Sequence, residues 1–468
     1  MLQIKKHWKR GYVSYKKHRM AMKTPVNDFI SEYENSGFIR FHMPGHKGRI
    51  LHGLENRDIT EIRGADYLYE AEGIIAESEA LTAEIFGAGK TLYSTEGSSL
   101  SIKTMLGIIK SCRKNREERM VVAAPRNVHK AFIDGCCLLD IDVAWVYPQK
   151  LSAQLCSSSI TALDVRRTII EFGRIPDAVY ITSPDYLGNM ADIRSISEVC
   201  REMEIPLLVD NAHGAYLKFL EESLHPLDLG ADMCVDSAHK TLPVYTGGGY
   251  LHISKSAPQE WFCCAKEVMS LFASTSPSYL IMGSLDKCCG ELQGDLPRKI
   301  RECALRVKKS AEIIASCGWE IQNSEPLKLT VYSEKCGYSG DMLAGILRKH
   351  RIECEYSDSG CVVLMCSPYN DEKDFFILEN AFREIPVPAE KAVCNKEKIP
   401  KAKVRTSIRN AYFSCCERVA VEDAEGRICA RSAVSCQPSV PIVIPGEEIT
   451  VEIMKILKRY SIFYVDVI

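Results

Sequence analysis

The sequence predicts an α/β fold with a mixed, mostly parallel sheet, followed by a smaller α+β domain. From about residue 70, amphipathic stretches of helix length alternate with short apolar runs that end in polar residues or glycine. This alternation is typical of a sheet whose parallel strands are joined by helices. After about residue 295, a helical stretch is followed by the order strand, helix, strand, strand, which indicates a second, smaller unit.

Individual segments of the large domain support this fold class. The stretch AEGIIAESEALTAEIFGA has apolar residues at helical spacing and stops at Gly87, as a helix does at its carboxyl end. Three apolar runs are predicted to be buried strands whose last residues turn polar: MVVAAP, DAVYITSP and IPLLVDNAHG. Because open parallel sheets bind ligands beyond the carboxyl ends of their strands, we expect the functional residues along one edge of the sheet.

The rest of the chain divides into a small domain and a C-terminal segment. One long helix is predicted within CCGELQGDLPRKIRECALRVKKSAEIIASCGWEI. The strands and the helix of the small domain are predicted in the region that begins PLKLTVYSEKCGYSG. CNKEKIPKAKVR is predicted to be an exposed linker or a helix start before a last segment that contains QPSVPIVIPGEEIT. The predicted organisation is an N-terminal arm (1–57), a large domain (58–295), a small α+β domain (296–390) and a C-terminal segment (391–468).

Composition argues against several classes of function. The 59 lysines and arginines nearly balance the 61 acidic residues, so no global field would attract nucleic acid or a membrane surface. The 21 cysteines lack the paired C-x2-C arrays of zinc sites and suit a reducing cytoplasm, and no apolar run approaches the ~20 residues of a membrane span. We expect a cytoplasmic protein without nucleic-acid or membrane partners. The basic stretch 1–23 is expected to be a solvated or oligomer-contacting arm, with a targeting presequence or a nucleic-acid arm as alternatives.

Two polar positions after predicted strands could serve a carbonyl cofactor. Lys240, in VDSAHKTLPVYTGGG, directly follows His239, and an active-site lysine can form a Schiff base with a cofactor such as pyridoxal phosphate. Asp210 ends a strand, and an acid there could keep the pyridinium nitrogen of that cofactor protonated. His213 follows three residues later, so the pair could equally belong to a hydrolytic triad or a strand-end turn.

Two further segments could hold the phosphate and the ring of such a cofactor. Gly97, Ser98 and Ser99 precede an apolar helical run and would form an anion site, although an ordinary serine helix cap has the same pattern. The segment lacks the Lys-Ser/Thr of a nucleotide P-loop. His129 follows a strand and could stack on an aromatic ring or simply start a helix. His42 and His46 flank a Pro-Gly turn rather than lying at helical spacing, so no metal site is predicted.

Nine ordered blocks, which cover nearly the whole chain, resemble the Orn/Lys/Arg decarboxylases, pyridoxal phosphate enzymes of the aspartate-aminotransferase fold type (fold type I). The blocks are FHMPGHKG, DITEIRGADYLYEAEGII, FGAGKTLYSTEGSS, APRNVHKA, ITSPDYLGNMADI, LVDNAHGAY, DSAHKTLP, TSPSYLIMGSLD and PIVIPGEEIT. The resemblance implies that residues 58–295 bind the cofactor and that 391–468 form a segment typical of the family. It also implies a short form without the N-terminal receiver-like domain of the family's long members.

The resemblance also assigns roles to single residues. Lys240 would bind the cofactor covalently, Asp210 would pair with the pyridine nitrogen, and His129 would stack on the ring. His213 would join them in the cofactor site. The phosphate would be held by Gly97, Ser98, Ser99, Ser237 and His239. Thr275 or Ser276 would reach the phosphate of a partner subunit, which implies a homodimer, or a higher homo-oligomer, with shared active sites.

The implied activity is decarboxylation of arginine, lysine or ornithine, in which Lys240 or His239 returns a proton to the α-carbon. Alternatives are transamination on the same fold and a catalytically impaired protein that binds the cofactor. The impaired alternative arises from two departures from the family pattern. Glu96 replaces the usual asparagine, and Gly247 stands where glutamine commonly follows the threonine. A carboxylate beside a phosphate must point away or pair with a cation.

Overall fold

The structure is a computed structural model that describes residues 22–50, 52–149, 160–387, 400–434 and 440–468. Residues 1–21, nearly all of the basic stretch, lie outside the described residues. So do residues 394–399 of the predicted linker and the first residues, 437–439, of QPSVPIVIPGEEIT. The predicted roles of the basic arm and the linker stay predictions.

A seven-stranded sheet forms the centre of the large unit. Its strands are β1 (Lys90–Ser94), β2 (Met120–Pro125), β3 (Ile141–Val146), β4 (Ala178–Thr182), β5 (Leu207–Asp210), β6 (Met233–Asp236) and β7 (Gly249–Ile253). Their order across the sheet is β1-β7-β6-β5-β4-β2-β3. The five strands from β6 to β3 run parallel, and β7 is antiparallel to both β6 and β1. The predicted mixed, mostly parallel sheet is confirmed.

Helices cover both faces of this sheet. They are α1 (Pro25–Asn35), α2 (Ile74–Phe86), α3 (Gly97–Cys112), α4 (Lys130–Leu139), α5 (Ala162–Phe172), α6 (Ile193–Glu202), α7 (Ala238–Thr241), α8 (Gln259–Ser270) and α9 (Tyr279–Gln293). Side chains of a strand alternate between faces, and along β2 Val122 joins one apolar core while Val121 joins the other. Burial on both faces explains why this strand is a continuous apolar run rather than an alternating one.

The helix ends follow local sequence signals. Helix α2 ends at Gly87, whose φ of 71° places it in the left-handed region, as the sequence predicted. The long helix predicted after residue 287 is present as α10 (Leu296–Ser316), whereas the first residues of that stretch complete α9, which stops before Gly294. Pro297 explains the break, because proline lacks the N–H that a continuous helix needs but is well tolerated in a first turn.

The small unit is an antiparallel sheet covered by helices. Its strands are β8 (Ile321–Gln322), β9 (Lys328–Val331), β10 (Tyr356–Ser357) and β11 (Val362–Met365), in the order β10-β11-β9-β8, and its helices are α10, α11 (Gly340–Lys349) and α12 (Glu372–Glu384). The succession β9, α11, β10, β11 confirms the predicted order strand, helix, strand, strand.

The C-terminal unit has its own apolar core, which includes Val443, Ile453 and Val465. Its elements are α13 (Ile408–Phe413), β12 (Glu417–Ala420), β13 (Ala433–Val434), β14 (Pro441–Val443), α14 (Val451–Arg459) and β15 (Tyr464–Val467). Short 3-10 helices occur at Leu68–Glu70, Ala215–Phe219, Pro226–Leu229, Glu334–Cys336 and Val421–Asp423. None of the helices in the described part of the chain combines the length and apolarity needed to cross a membrane. The domain boundaries stay a prediction.

Candidate active site

A cavity of about 200 Å³ lies beyond the carboxyl ends of β2, β4 and β5. Five of the residues singled out in the sequence line it: Ser98, His129, Asp210, His213 and Lys240. They come from the start of α3, the loops after β2 and β5, and the short helix α7 after β6. Parallel strands thus bring together side chains that are far apart in the chain, at the edge where such sheets bind ligands.

Asp210 is a buried carboxylate with a fixed orientation. It is the last residue of β5 and lies beside Thr182 of β4 in the sheet register. The Tyr180 hydroxyl donates a hydrogen bond to Oδ2 at 3.0 Å, and the Ala212 N–H donates to Oδ1 at 3.2 Å. These two donors hold the carboxylate so that it lines the cavity, where it can interact with a bound cation.

Lys240 brings an amine into the same cavity. Its Nζ lies 3.1 Å from Nε2 of His213. Burial lowers the pKa of Lys240, and the nearby Lys328 lowers it further, while Asp210 acts in the opposite direction. A lysine with a lowered pKa is more often neutral at physiological pH and is therefore a better nucleophile.

His129 and His239 are held in opposite tautomers. His129 caps the N-terminus of α4, where its Nδ1 accepts a hydrogen bond from the Ala131 N–H at 3.1 Å. Nδ1 of His239 donates to the Gly248 carbonyl at 2.9 Å. Burial lowers the pKa of both rings, so both are neutral near pH 7. His129 therefore carries its proton on Nε2, whereas His239 presents an unprotonated Nε2.

The start of α3 forms the candidate phosphate site. The first N–H groups of a helix have no acceptor within the helix and attract anions. A side chain built on Gly97 would lie 3.7 Å from the ring of His239, so this histidine is close to the helix start. Ser237 is buried, and its hydroxyl oxygen has no hydrogen-bond partner among the described residues. A hydroxyl left in this state would gain a partner from a bound phosphate.

The two departures from the family pattern have structural explanations. Glu96 is exposed, and its Oε1 accepts a hydrogen bond from the Ser274 N–H at 2.8 Å. The carboxylate is thus directed to the loop between α8 and α9. Gly247 has a φ of 96°, and a Cβ there would lie 3.0 Å from the Thr95 carbonyl oxygen, so glutamine would be strained in this backbone.

Thr275 and Ser276 are not brought to the cavity of their own chain. Both lie exposed on the loop between α8 and α9 and are absent from the described lining of the cavity. The hydrogen bond between Ser274 and Glu96 fastens this loop next to the helix start of α3. The predicted contact with a partner subunit's phosphate stays a prediction.

The small and C-terminal units supply cavity residues that sequence analysis missed. Glu355, just before β10, lines the cavity and accepts a hydrogen bond from the Tyr186 hydroxyl at 2.7 Å. Val440 of the C-terminal unit also lines it, as does Asn127, whose Oδ1 has no partner in the described part of the chain. No local pattern marks Glu355 or Val440, because they reach the cavity only through long-range packing, whereas Asn127 lies two residues before His129 in the block APRNVHKA.

A buried ion pair lies on the side of His213 opposite to Lys240. Lys328 Nζ is 2.6 Å from Glu325 Oε2, and both side chains are only 1% exposed. The same Nζ lies 3.3 Å from Nδ1 of His213. The spacing E-P-L-K is a weak signal in the sequence, since such pairs are usually solvated surface residues.

Comparisons with known proteins show the family to which the chain belongs. Residues 24–330 match the family model described as Orn/Lys/Arg decarboxylase, major domain, and residues 388–463 match the C-terminal domain of the same family. An arginine decarboxylase of Bacillus subtilis (strain 168) is 28% identical over 92% of both chains. An arginine decarboxylase of Halalkalibacterium halodurans is 29% identical over 91% of both chains.

The solved structures that resemble this chain include lysine decarboxylases. The enzyme of Francisella novicida superposes with a TM-score of 0.78 at 16% identity, covering 96% of this chain and 81% of that chain. The constitutive enzyme of Escherichia coli superposes with a TM-score of 0.75 at 17% identity, covering 94% of this chain and 78% of that chain. These likenesses show the fold, and the match to the family's major domain extends over more than half of the sequence. The chain belongs to the Orn/Lys/Arg decarboxylase family.

Proposed function

We propose that this protein is a pyridoxal phosphate-dependent decarboxylase of a basic amino acid. The observation that carries the proposal is the convergence of the Lys240 amine, the Asp210 carboxylate and the His129 ring on one cavity next to a helix start. Such a set fits an aldehyde, a pyridine nitrogen, an aromatic ring and a phosphate. Asn127 lines this cavity, and its buried Oδ1 has no partner among the described residues, which supports a polar ligand here. The Ser237 Oγ, three residues before Lys240, is likewise buried without a partner in the described part of the chain.

Each residue has a distinct role in the proposed reaction. When bound, the cofactor would supply an electron sink for the bond that breaks as carbon dioxide leaves. Lys240 would attach the cofactor and be displaced by the substrate amine, and Asp210 would hold the proton on the ring nitrogen. His129 would pack on the ring. Gly97, Ser98, Ser99, Ser237 and His239 would hold the phosphate.

Two groups could return the proton to the α-carbon after carbon dioxide has left. Lys240 lies in the cavity and would be free of the cofactor at that stage. It could donate only as an ammonium group, with a proton taken up when the substrate amine displaces it, and the donation would leave it as a neutral amine. The alternative donor is His239, whose Nδ1–H is engaged by Gly248, so that its Nε2 would have to take up the proton first. General acid catalysis requires such a group within hydrogen-bond reach of the reacting carbon.

Glu355 supports a substrate with a distal positive charge. Its carboxylate lines the cavity, and the hydrogen bond from Tyr186 fixes its position. A guanidinium or ammonium group at the far end of the substrate would pair with this acid. Arginine is the first substrate to test, since the relatives at 28% and 29% identity are named arginine decarboxylases.

The orientation of Glu96 toward Ser274 supports a working phosphate site rather than an impaired one. The exposed loop that carries Thr275 and Ser276 supports a homodimer, because in one chain it lies outside the cavity lining that the structure describes. We propose that the partner subunit completes each site.

The test is carbon dioxide release from carboxyl-labelled arginine, lysine and ornithine by purified protein supplied with pyridoxal phosphate, with the amine identified by mass spectrometry. One of the three should yield carbon dioxide and its amine in equal amounts. A 2-oxo acid formed without carbon dioxide would show transamination instead. Cofactor binding without turnover of any of the three amino acids would contradict the proposal.

A matched pair of variants tests the substrate contact. Glu355→Gln should lower kcat/KM for the basic amino acid roughly 10- to 100-fold, because a hydrogen bond to a charged group contributes about 1.5–3 kcal/mol. Glu353→Gln is the control, since Glu353 lies two residues away in an exposed ion pair with Arg348. Equal effects of the two changes would contradict the assigned contact.

A further inference from the structure

His213 lies between two lysines. Its Nε2 is 3.1 Å from Lys240 Nζ, and its Nδ1 is 3.3 Å from Lys328 Nζ. The ring is 5% exposed, and burial, together with the charge of Lys328, holds the pKa of His213 well below its usual value. The imidazole is therefore neutral, with one N–H donor and one acceptor nitrogen. Its two nitrogens cannot both accept hydrogen bonds.

Lys328 decides which nitrogen accepts. Its Nζ lies at ion-pair distance, 2.6 Å, from the buried Glu325 carboxylate and donates to the Asp185 carbonyl at 3.4 Å, which is the arrangement of an ammonium group. An ammonium group has three donors and no lone pair. Nδ1 of His213 must therefore accept from Lys328, which places the ring proton on Nε2.

The proton on Nε2 points to Lys240. A hydrogen bond at 3.1 Å then requires a lone pair on Lys240 Nζ, since an ammonium group would set one donor against another. We propose that Glu325, Lys328 and His213 form a positioning chain that fixes the His213 tautomer and holds the uncombined Lys240 as a neutral amine.

The other charged groups around Lys240 shift its pKa in both directions. Burial and the Lys328 charge lower the pKa of Lys240, whereas Asp210, Glu355 and Glu325 raise it. The nearby rings of His129 and His239 are neutral, so they add no positive charge. These acids alone would favour the ammonium form of Lys240. The neutral amine therefore depends on the His213 tautomer that Lys328 sets.

The proposed chain has a chemical purpose that rests on the proposed function. As a neutral amine, Lys240 would be able to bind pyridoxal phosphate covalently: the nitrogen lone pair would form a bond to the aldehyde carbon, and the carbonyl oxygen would leave as water with the two amine protons. An ammonium group must first lose a proton. In the proposed reaction the substrate amine would replace Lys240 in every turnover, and Lys240 would later replace the product amine, which would leave. A lysine held as a neutral amine would be ready for this second exchange without first losing a proton to solvent.

The experiment needs neither cofactor nor turnover. Acetic anhydride acetylates only neutral amines, so its rate with Lys240 in the cofactor-free full chain, followed by mass spectrometry of the Lys240 peptide between pH 7 and 9, reports the neutral fraction. An ordinary lysine with a pKa near 10.4 loses about 100-fold in this rate between pH 9 and 7. Lys240 is expected to lose far less.

A charge-conserving double variant tests the chain itself. Glu325→Gln with Lys328→Met removes one charge of each sign, so it frees the His213 tautomer without changing the net charge of the site. The rate should then approach the steep profile of an ordinary lysine. Glu320→Gln with Lys335→Met is the control, because this ion pair in the small unit is about one-third exposed.

Two results would overturn the proposal: a steep profile in the wild-type protein, or the same shallow profile in the Glu325→Gln, Lys328→Met variant. The wild-type profile does not depend on the folding of any variant. A shallow profile in a protein that releases no carbon dioxide would refute the proposed function alone, and a steep profile in an active decarboxylase would refute only the positioning chain.

Discussion

Arg126, the residue that follows β2, forms an ion pair with Glu447 of the C-terminal unit. This pair links the C-terminal unit to the end of β2 that borders the cavity. The two side chains are 3% and 1% exposed, with nitrogen to oxygen distances of 2.6 and 3.2 Å. Glu447 also accepts from the Ile444 N–H at 3.0 Å. After Glu447→Gln, Arg126 would lose its counter-charge and keep neutral acceptors, among them the Ile442 carbonyl, together with its position over the Trp145 ring. Leaving one charge of a buried pair alone costs about 3–5 kcal/mol.

Urea unfolding followed by circular dichroism measures this cost. Glu448→Gln is the matched control. The neighbouring Glu448 pairs with Arg405, whose side chain is 50% exposed, and ion pairs at the surface contribute about 0–1 kcal/mol. The double change Arg126→Met with Glu447→Leu should recover part of the loss, since it leaves no unpaired buried charge. Equal destabilisation by Glu447→Gln and Glu448→Gln would refute the reasoning.

Three further predictions concern the site, the pH dependence of stability and the dimer. Asp210→Ala should keep some cofactor bound but lose several powers of ten in kcat, at about 1.4 kcal/mol for each factor of ten; a nearly unchanged kcat would rule out its role. Burial raises the pKa of Asp286 to about 6, so between about pH 4 and 6 the folded state binds more protons than the unfolded state, and stability should fall by at most about 3 kcal/mol as the pH rises through this window. Asp286→Asn should flatten this part of a melting-temperature profile, and an unchanged slope would contradict the assignment. Mixing inactive Lys240→Ala chains with inactive chains altered at Thr275 and Ser276 should restore some carbon dioxide release, whereas demonstrated subunit exchange without activity would contradict shared sites.

The large sheet could be predicted because its buried strands leave strong local signals. Strands covered on both faces are continuous apolar runs, and the polar residue that ends such a run, as Asp210 ends β5, must lie at the ligand-binding edge. The first residue of α10 was not placed from the sequence, although Pro297 was a visible signal. From the sequence alone, a proline in the first turn of a helix cannot be distinguished from a proline inside a helix until the first residue of the helix is known.

Contacts between units could not be predicted in the same way. Lys328 meets His213 across 115 residues, and Glu447 meets Arg126 across 321. Lys328, Glu447 and Arg126 are each ordinary in the local sequence, and only the packing of the small and C-terminal units against the sheet gives them these partners. The orientation of Glu96 likewise depends on the loop that contains Ser274, far along the chain.

The point of attachment of the cofactor tests the central claim most directly. Purified protein loaded with pyridoxal phosphate should be reduced with sodium borohydride, digested and analysed by mass spectrometry. Lys328 is the informative comparison, because its amine lies on the other side of the same imidazole as the Lys240 amine. The pyridoxyl mass is predicted on the peptide that contains Lys240, and no label is predicted on the Lys328 peptide. Label on Lys328 or any other lysine, with the Lys240 peptide unmodified, would contradict the account.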